Sequence, residues 1–147
     1  MPRSVSILMG SESDRKIAKK AETILEKMGI PFETKVLSSH RNHKALDKYL
    51  ENSKADVFIA IAGLSAALPG FVASVSTKPV IGVPVSGKLN LDSILSIVQL
   101  PSGVPVGTVG LDNGTNAGLL AAEILAVSDP EINKKIVQYR SEPAFKR

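Results

Sequence analysis

Val57-Phe58-Ile59-Ala60-Ile61-Ala62 is an unbroken apolar run that ends at Gly63. Its length suits a strand, and its composition leaves no polar face for water. A strand covered on both sides belongs in a parallel sheet with helices above and below it. Four more β-prone runs flank it in sequence: Ser4 to Met9, Phe32 to Leu37, Val80 to Val85 and Val104 to Gly110.

Amphipathic stretches alternate with these runs. Ile17, Ala18, Ala21, Ile24, Leu25 and Met28 share one helical face, which predicts a helix from Asp14 to Met28 with Ser13 or Asp14 as its cap. Gly29 ends it and Pro31 prevents its resumption. Further helices are predicted over His43 to Asn52 (burying Leu46, Tyr49 and Leu50), from near Pro69, over Leu91 to Leu100 and over Asn116 to Val127. Ser128-Asp129-Pro130-Glu131 is a cap followed by a first-turn proline, opening a last helix to about Tyr139 that buries Ile132 and Ile136. Strand and helix thus alternate five times before a C-terminal helix. This order predicts an α/β fold with a five-stranded parallel sheet, right-handed crossovers and helices on both faces. In such a fold ligands bind at the carboxyl ends of the strands.

Length and composition agree. The 147 residues, 15.6 kDa, amount to one domain spanning 1–147. A hydrophobic fraction of 44% and a mean hydropathy of +0.12 argue against disorder. The chain has no cysteine, which excludes disulfides and thiolate metal sites. No apolar stretch reaches the roughly 20 residues of a membrane helix. Gly10, Glu12 and Asp14 interrupt any signal-peptide pattern after Arg3. A soluble cytoplasmic protein with no membrane partner is expected. The net charge of +4 reads as an ordinary solvated surface. Basic residues are dispersed and aromatics make up 4%, so no nucleic-acid partner is expected. The tail residues Lys134, Lys135, Arg140, Lys146 and Arg147 suit the C-terminal end of a helix.

The strand-to-helix loops are rich in glycine and small polar residues: Gly10 to Asp14, Ser38 to Asn42, Ala62 to Gly70, Ser86 to Asn90 and Asp112 to Asn116. The opposite loops, such as Gly29-Ile30-Pro31 and Thr77-Lys78-Pro79, are blander, so function is expected on one edge only. Gly10-Ser11-Glu12-Ser13-Asp14 ends at a helix N-terminus, where free N–H groups favour an anion. It also fits a plain turn and cap, and it lacks the glycine spacing of nucleotide-binding fingerprints. Asp14 could cap the helix or accept from a sugar hydroxyl.

Ser38-Ser39-His40-Arg41 supplies the chemistry. His40 is one of two histidines, and imidazole exchanges protons near neutral pH. A lone loop histidine is commonly plain surface, but the adjacent Arg41 guanidinium suits bidentate phosphate or carboxylate binding. His43 reads as surface or as a support to the site. Ala62 to Gly70 is small and apolar apart from Ser65, which fits close helix–sheet packing or the approach of backbone to a planar ligand. Gln99 to Pro105 is rich in proline and glycine and reads as a rigid loop.

Together these loops resemble the small-subunit family of phosphoribosylaminoimidazole carboxylase, which in many bacteria is the N5-carboxyaminoimidazole ribonucleotide mutase of purine biosynthesis. The matching segments are Met9 to Asp14, Ser38 to Arg41, Ala62 to Gly70, Pro79 to Val85, Leu91 to Pro101 and Asn116 to Ala121, in family order along nearly the whole chain. The resemblance implies a single catalytic domain with a three-layer α/β/α, flavodoxin-like fold, assembled as a homo-octamer. It implies an aminoimidazole ribonucleotide substrate, with Ser11, Asp14 and Arg41 on the ribose phosphate and Ser38 lining the same pocket. His40 would be the catalytic acid/base, and the backbone of Gly63, Leu64, Ser65, Ala66 and Ala67 would hold the carboxylate or carbon dioxide. It implies neither metal nor other cofactor.

Two departures concern the carboxyl donor. The mutase branch usually has Ala-Ala-His-Leu-Pro-Gly where this chain has Ala67 at the histidine position, and Ser-Ala-His-Arg-Thr-Pro where it has Ser38-Ser39-His40-Arg41-Asn42-His43. Arg41 and Leu68-Pro69-Gly70 follow the mutase branch, whereas Ser65-Ala66-Ala67-Leu68 leans towards the branch that carboxylates aminoimidazole ribonucleotide directly with carbon dioxide. Rivals from other classes fit less well. A flavin carrier would want aromatics flanking its ring, and a receiver domain needs an aspartate ending the third strand, where Ala62-Gly63 stands. A non-catalytic nucleotide-binding module predicts binding without turnover.

Overall fold

The structure, a computed structural model, describes residues 2–144. Five parallel strands form one sheet: β1 (Val5–Met9), β2 (Phe32–Val36), β3 (Val57–Ala62), β4 (Val80–Pro84) and β5 (Gly107–Thr108), in the order β2-β1-β3-β4-β5. Six α-helices among the described residues cover it: α1 (Arg15–Met28), α2 (His43–Asn52), α3 (Leu68–Val75), α4 (Asn90–Val98), α5 (Gly114–Ala126) and α6 (Pro130–Ser141). The three-layer α/β/α, flavodoxin-like arrangement is the one expected.

Period-two alternation divides the deciding strand between two cores. Val57, Ile59 and Ile61 pack with the buried residues of α1, α5 and α6, while Phe58, Ala60 and Ala62 pack with Leu46 of α2, Leu68 and Val72 of α3 and Ile97 of α4. β1 divides likewise, with Val5, Ile7 and Met9 on one face and Leu8 on the other. Ser6 is fully buried in mid-strand, and its hydroxyl is satisfied by the Tyr49 hydroxyl of α2 at 2.6 Å.

Local signals behave largely as read. Gly29 closes α1 in the left-handed conformation at φ 67°. Asp129 caps α6, its Oδ1 accepting from the Glu131 and Ile132 backbone N–H groups. Lys135 then donates to the Met28 carbonyl at 3.0 Å, tying α6 to the end of α1. Arg140 lies in the last turn of α6, as expected, and pairs with Glu123; Lys146 and Arg147 lie outside the described residues.

Most boundaries shift by a residue or two, and three differences have a readable cause. β5 was expected over Val104 to Gly110, but only Gly107–Thr108 form the ladder with β4. Pro105 has no N–H to give, and glycines on either side lower the strand's own preference at this edge position. The cap of α1 is split: Ser11 caps a short 3-10 turn, Glu12–Asp14, and Asp14 stands at the start of α1 without a side-chain capping bond. α5 begins at Gly114, two residues before the expected start, because Asn113 Oδ1 accepts from Asn116 N–H.

That early start brings α5 hard against α1. A β-carbon on Gly114 would lie 2.0 Å from the Ile17 carbonyl oxygen, and one on Gly118 would lie 2.9 Å from that of Ala21. Only glycine admits this backbone approach, and it fixes α1, whose leading end carries Ser11 to Asp14.

Candidate functional site

The chain order turns at the sheet centre: β2 lies outward of β1 on one side, and β3 to β5 follow on the other. Loops after β1 and β3 therefore diverge at the carboxyl edge and leave a crevice. A cavity of about 600 Å³ opens there, walled by the loops that follow the first four strands.

The first wall is Gly10 to Asp14. Ser11 Oγ accepts from Ser13 N–H at 3.3 Å and from Ser13 Oγ at 3.0 Å, so its own hydrogen remains available to a ligand. Asp14 borders the cavity but is only 6% exposed. Burial pushes its carboxyl above the ordinary range; a Ser11 backbone hydrogen bond and the Arg41 charge oppose that, and the Asp112 charge reinforces it. An acid raised by folding holds more protons folded than unfolded. Its stabilising contribution is therefore lost as pH rises through the ordinary carboxylate range. Asp14→Asn is expected to raise the melting temperature at neutral pH by on the order of a few degrees, with no gain at about pH 3. It should also weaken substrate binding. Calorimetric melts at the two pH values, with KM measured alongside, check both parts.

The second wall is Ser38 to Arg41. Ser38 Oγ accepts from the His40 and Arg41 backbone N–H groups at 3.3 and 3.2 Å, and Asn42 Oδ1 accepts from Ser38 N–H at 2.5 Å. This crossed pair of bonds fixes the turn that presents His40. Its imidazole is exposed and makes no hydrogen bond to the described residues. Arg41 Nη2 donates to the Gly10 carbonyl at 2.6 Å, so the first two walls are already joined.

Gly63, Leu64, Ser65 and Ala67 form the third wall, with Leu68 beneath them. Leu64 is 78% exposed and sits in the left-handed region at φ 53°, which a leucine adopts only at a cost of about 1–2 kcal/mol. Of the residues expected at the site, Ala66 alone is absent from the lining; it is 1% exposed, its methyl turned into the core beside Leu68.

The fourth wall is Val85, which the sequence reads as the end of the fourth strand, with Ser86 and Gly87, which it reads only as part of the polar loop that follows. Asp112 from the loop after β5 holds it, accepting from Ser86 N–H at 2.9 Å and from Ser86 Oγ–H at 2.5 Å. Periodicity carries no trace of such a pairing across 26 residues; the Asp112-Asn113-Gly114 turn was its one outward sign. Among the described residues no Phe, Tyr or Trp lines the cavity, which leaves a flavin ring without its usual flanks there. Among the described residues, no cluster of three or more His, Asp or Glu is placed to hold a metal. No helix among them is long and apolar enough to cross a membrane.

A phosphate-suited loop, an acid, a guanidinium and an imidazole thus meet on one cavity beside a small-residue loop. Residues 4–145 match the family described as AIR carboxylase. This chain belongs to that family. Relatives within the AIR carboxylase family include the N5-carboxyaminoimidazole ribonucleotide mutase of Methanocaldococcus jannaschii, 58% identical over 94% of this chain and 88% of that protein. The Thermotoga maritima mutase is 50% identical over 95% of this chain and 84% of its own. The crystal structure of Treponema denticola PurE2-S38D superposes with a TM-score of 0.91 at 32% identity, covering 99% of this chain and 94% of that one.

Proposed function

We propose that this AIR carboxylase family member is an N5-carboxyaminoimidazole ribonucleotide mutase of purine biosynthesis, an isomerase that moves the carboxyl group from the exocyclic nitrogen to C4. The observation that carries the reading is the position of His40 and Arg41 together on the cavity that Ser11 and Asp14 also line. Identities of 58% and 50% to mutases favour this over direct carboxylation.

In this reading Ser11, Arg41 and the N–H groups of the first helical turn take the phosphate, and Asp14 takes a ribose hydroxyl. Ser38 holds the His40 turn from below. Protonated His40 gives its proton to the exocyclic nitrogen as the N–C bond breaks, releasing carbon dioxide and the neutral amine. The carbon dioxide is kept against Gly63, Leu64, Ser65 and Ala67, while Ala66 packs into the core behind them. The ring is an enamine, so C4 attacks the retained carbon dioxide. Neutral His40 then removes the C4 proton and restores aromaticity, which returns the proton it first gave. Retention of both fragments turns a bimolecular recapture into a step within one cavity. With Ala67 at the position of the family's second histidine, His40 carries both proton transfers.

Each substrate supplied separately, with and without bicarbonate, tests the carboxyl donor. Product carboxylated at C4 should form from the N-carboxylated ribonucleotide without added bicarbonate. Equal rates from aminoimidazole ribonucleotide and carbon dioxide at physiological levels would overturn the mutase reading.

We infer further that the protein is cytoplasmic and works as a homo-octamer. Leu91, Leu95 and Val98 leave an exposed apolar stripe along α4, with exposed Leu89 just before it, the kind of surface that subunit contact covers. Light scattering should return eight times the 15.6 kDa chain mass, and a monomeric mass would exclude the assembly.

A further inference from the structure

The hydroxyls around the cavity are not equivalent. Ser11 Oγ and Ser38 Oγ receive hydrogen bonds from their own turns and keep a hydrogen to give. Ser86 is the reverse. Its hydroxyl faces Asp112 Oδ2 at 2.5 Å while its backbone N–H faces Oδ1 at 2.9 Å. Those two bonds hold the Asp112 carboxyl below its ordinary range, so it is ionised at neutral pH and can only accept. The Ser86 hydrogen is therefore committed, and the oxygen presents lone pairs to the cavity.

Asp112 is itself held firmly. Its backbone N–H donates to the Pro84 carbonyl at 2.9 Å, its carbonyl accepts from Lys20 Nζ at 3.1 Å, and its backbone lies at φ 57°. Aspartate and asparagine tolerate that region better than most side chains.

We propose that Ser86, polarised by Asp112, is a specificity residue that accepts a hydrogen bond from a donor on the bound ribonucleotide, either a ribose hydroxyl or the exocyclic N–H; this rests on the ribonucleotide reading above. Asp112 is the positioning residue. Phosphate and carboxylate, which lack donors when ionised, are turned away from this wall and towards Ser11 and Arg41. The four walls thereby sort the two ends of the substrate by hydrogen-bond polarity.

Asp112→Asn is the decisive variant. The Ser86 backbone N–H requires the amide oxygen at the Oδ1 position, which places the NH₂ against Ser86 Oγ. The serine hydrogen is then released into the cavity, and the wall changes from acceptor to donor with its shape kept. Ser86→Ala and Asp112→Asn should each raise KM about tenfold with kcat unchanged, Asp112→Asn also lowering the melting temperature slightly through loss of the carboxylate that the fold stabilises, while Ser86→Thr should keep wild-type KM. Calorimetric titration with the C4-carboxylated ribonucleotide and its 2′- and 3′-deoxyribose analogues separates the sources. If a ribose hydroxyl is the donor, one deoxy analogue binds wild type and Ser86→Ala alike; if the exocyclic N–H is the donor, both analogues keep the tenfold difference. Wild-type KM in both Ser86→Ala and Asp112→Asn, or a loss of melting temperature without a change in KM, overturns the inference. Failure of the wild-type protein to interconvert the two ribonucleotides would instead overturn the functional reading beneath it.

Discussion

Replacing His40 with asparagine should lower kcat by about 10²–10⁴-fold, the usual contribution of a positioned acid/base, and leave KM close to wild type. The expectation rests on how little else His40 does. Its side chain is exposed and bonds to no described residue, and its contribution to the turn is a backbone N–H to Ser38 Oγ that asparagine retains. Size and polarity are kept while the exchangeable proton is lost. Steady-state kinetics with the N-carboxylated substrate, beside calorimetric binding of the C4-carboxylated product, separates turnover from affinity. Near-normal turnover would show that a different group moves the proton. Because Ala67 offers no imidazole as a substitute, residual activity should be smaller than in a relative with histidine at that position.

The largest expected effect on stability lies away from the cavity. Gly114→Val should destabilise the protein by about 3 kcal/mol, at the upper end of what overpacking costs, and lower the melting temperature by roughly 6–12 °C. The new side chain would meet the Ile17 carbonyl, which is backbone and cannot rotate away. α5 can yield only by lifting from α1, and α1 carries Asp14. KM should therefore rise in the folded fraction as well. Gly110→Ala provides the control: a β-carbon there meets nothing within 4 Å. Thermal melts of the two variants decide the matter, and equal midpoints would refute the packing argument.

The parts legible in the sequence were those written in short-range pattern. Val57 to Ala62 announced a doubly covered strand because its apolar run is continuous, and the alternation around it dictated a parallel sheet. Once the strands are parallel, Ser11, Asp14, His40 and Arg41 must share an edge, and they share a cavity. The parts that escaped depend on pairs of distant residues. Val104 to Gly110 has strand-like composition, but pairing is set by which N–H groups can reach β4, and Pro105 has none. Ala66 was grouped with its neighbours, yet the turn at Leu64 sends its methyl inward. Ser86 and Asp112 look ordinary until the sheet order brings their loops together. Gly114 read as a loop residue because the clearance it provides is measured from another helix.

The one-sidedness of the sheet has a practical consequence. The chain has no cysteine, so a single introduced thiol would be chemically unique. Thr77, exposed at the bland edge between α3 and β4, sits at the opposite end of the strands from the cavity. Thr77→Cys would accept a fluorophore or a surface tether there, giving a reporter whose attachment chemistry never touches the reacting edge.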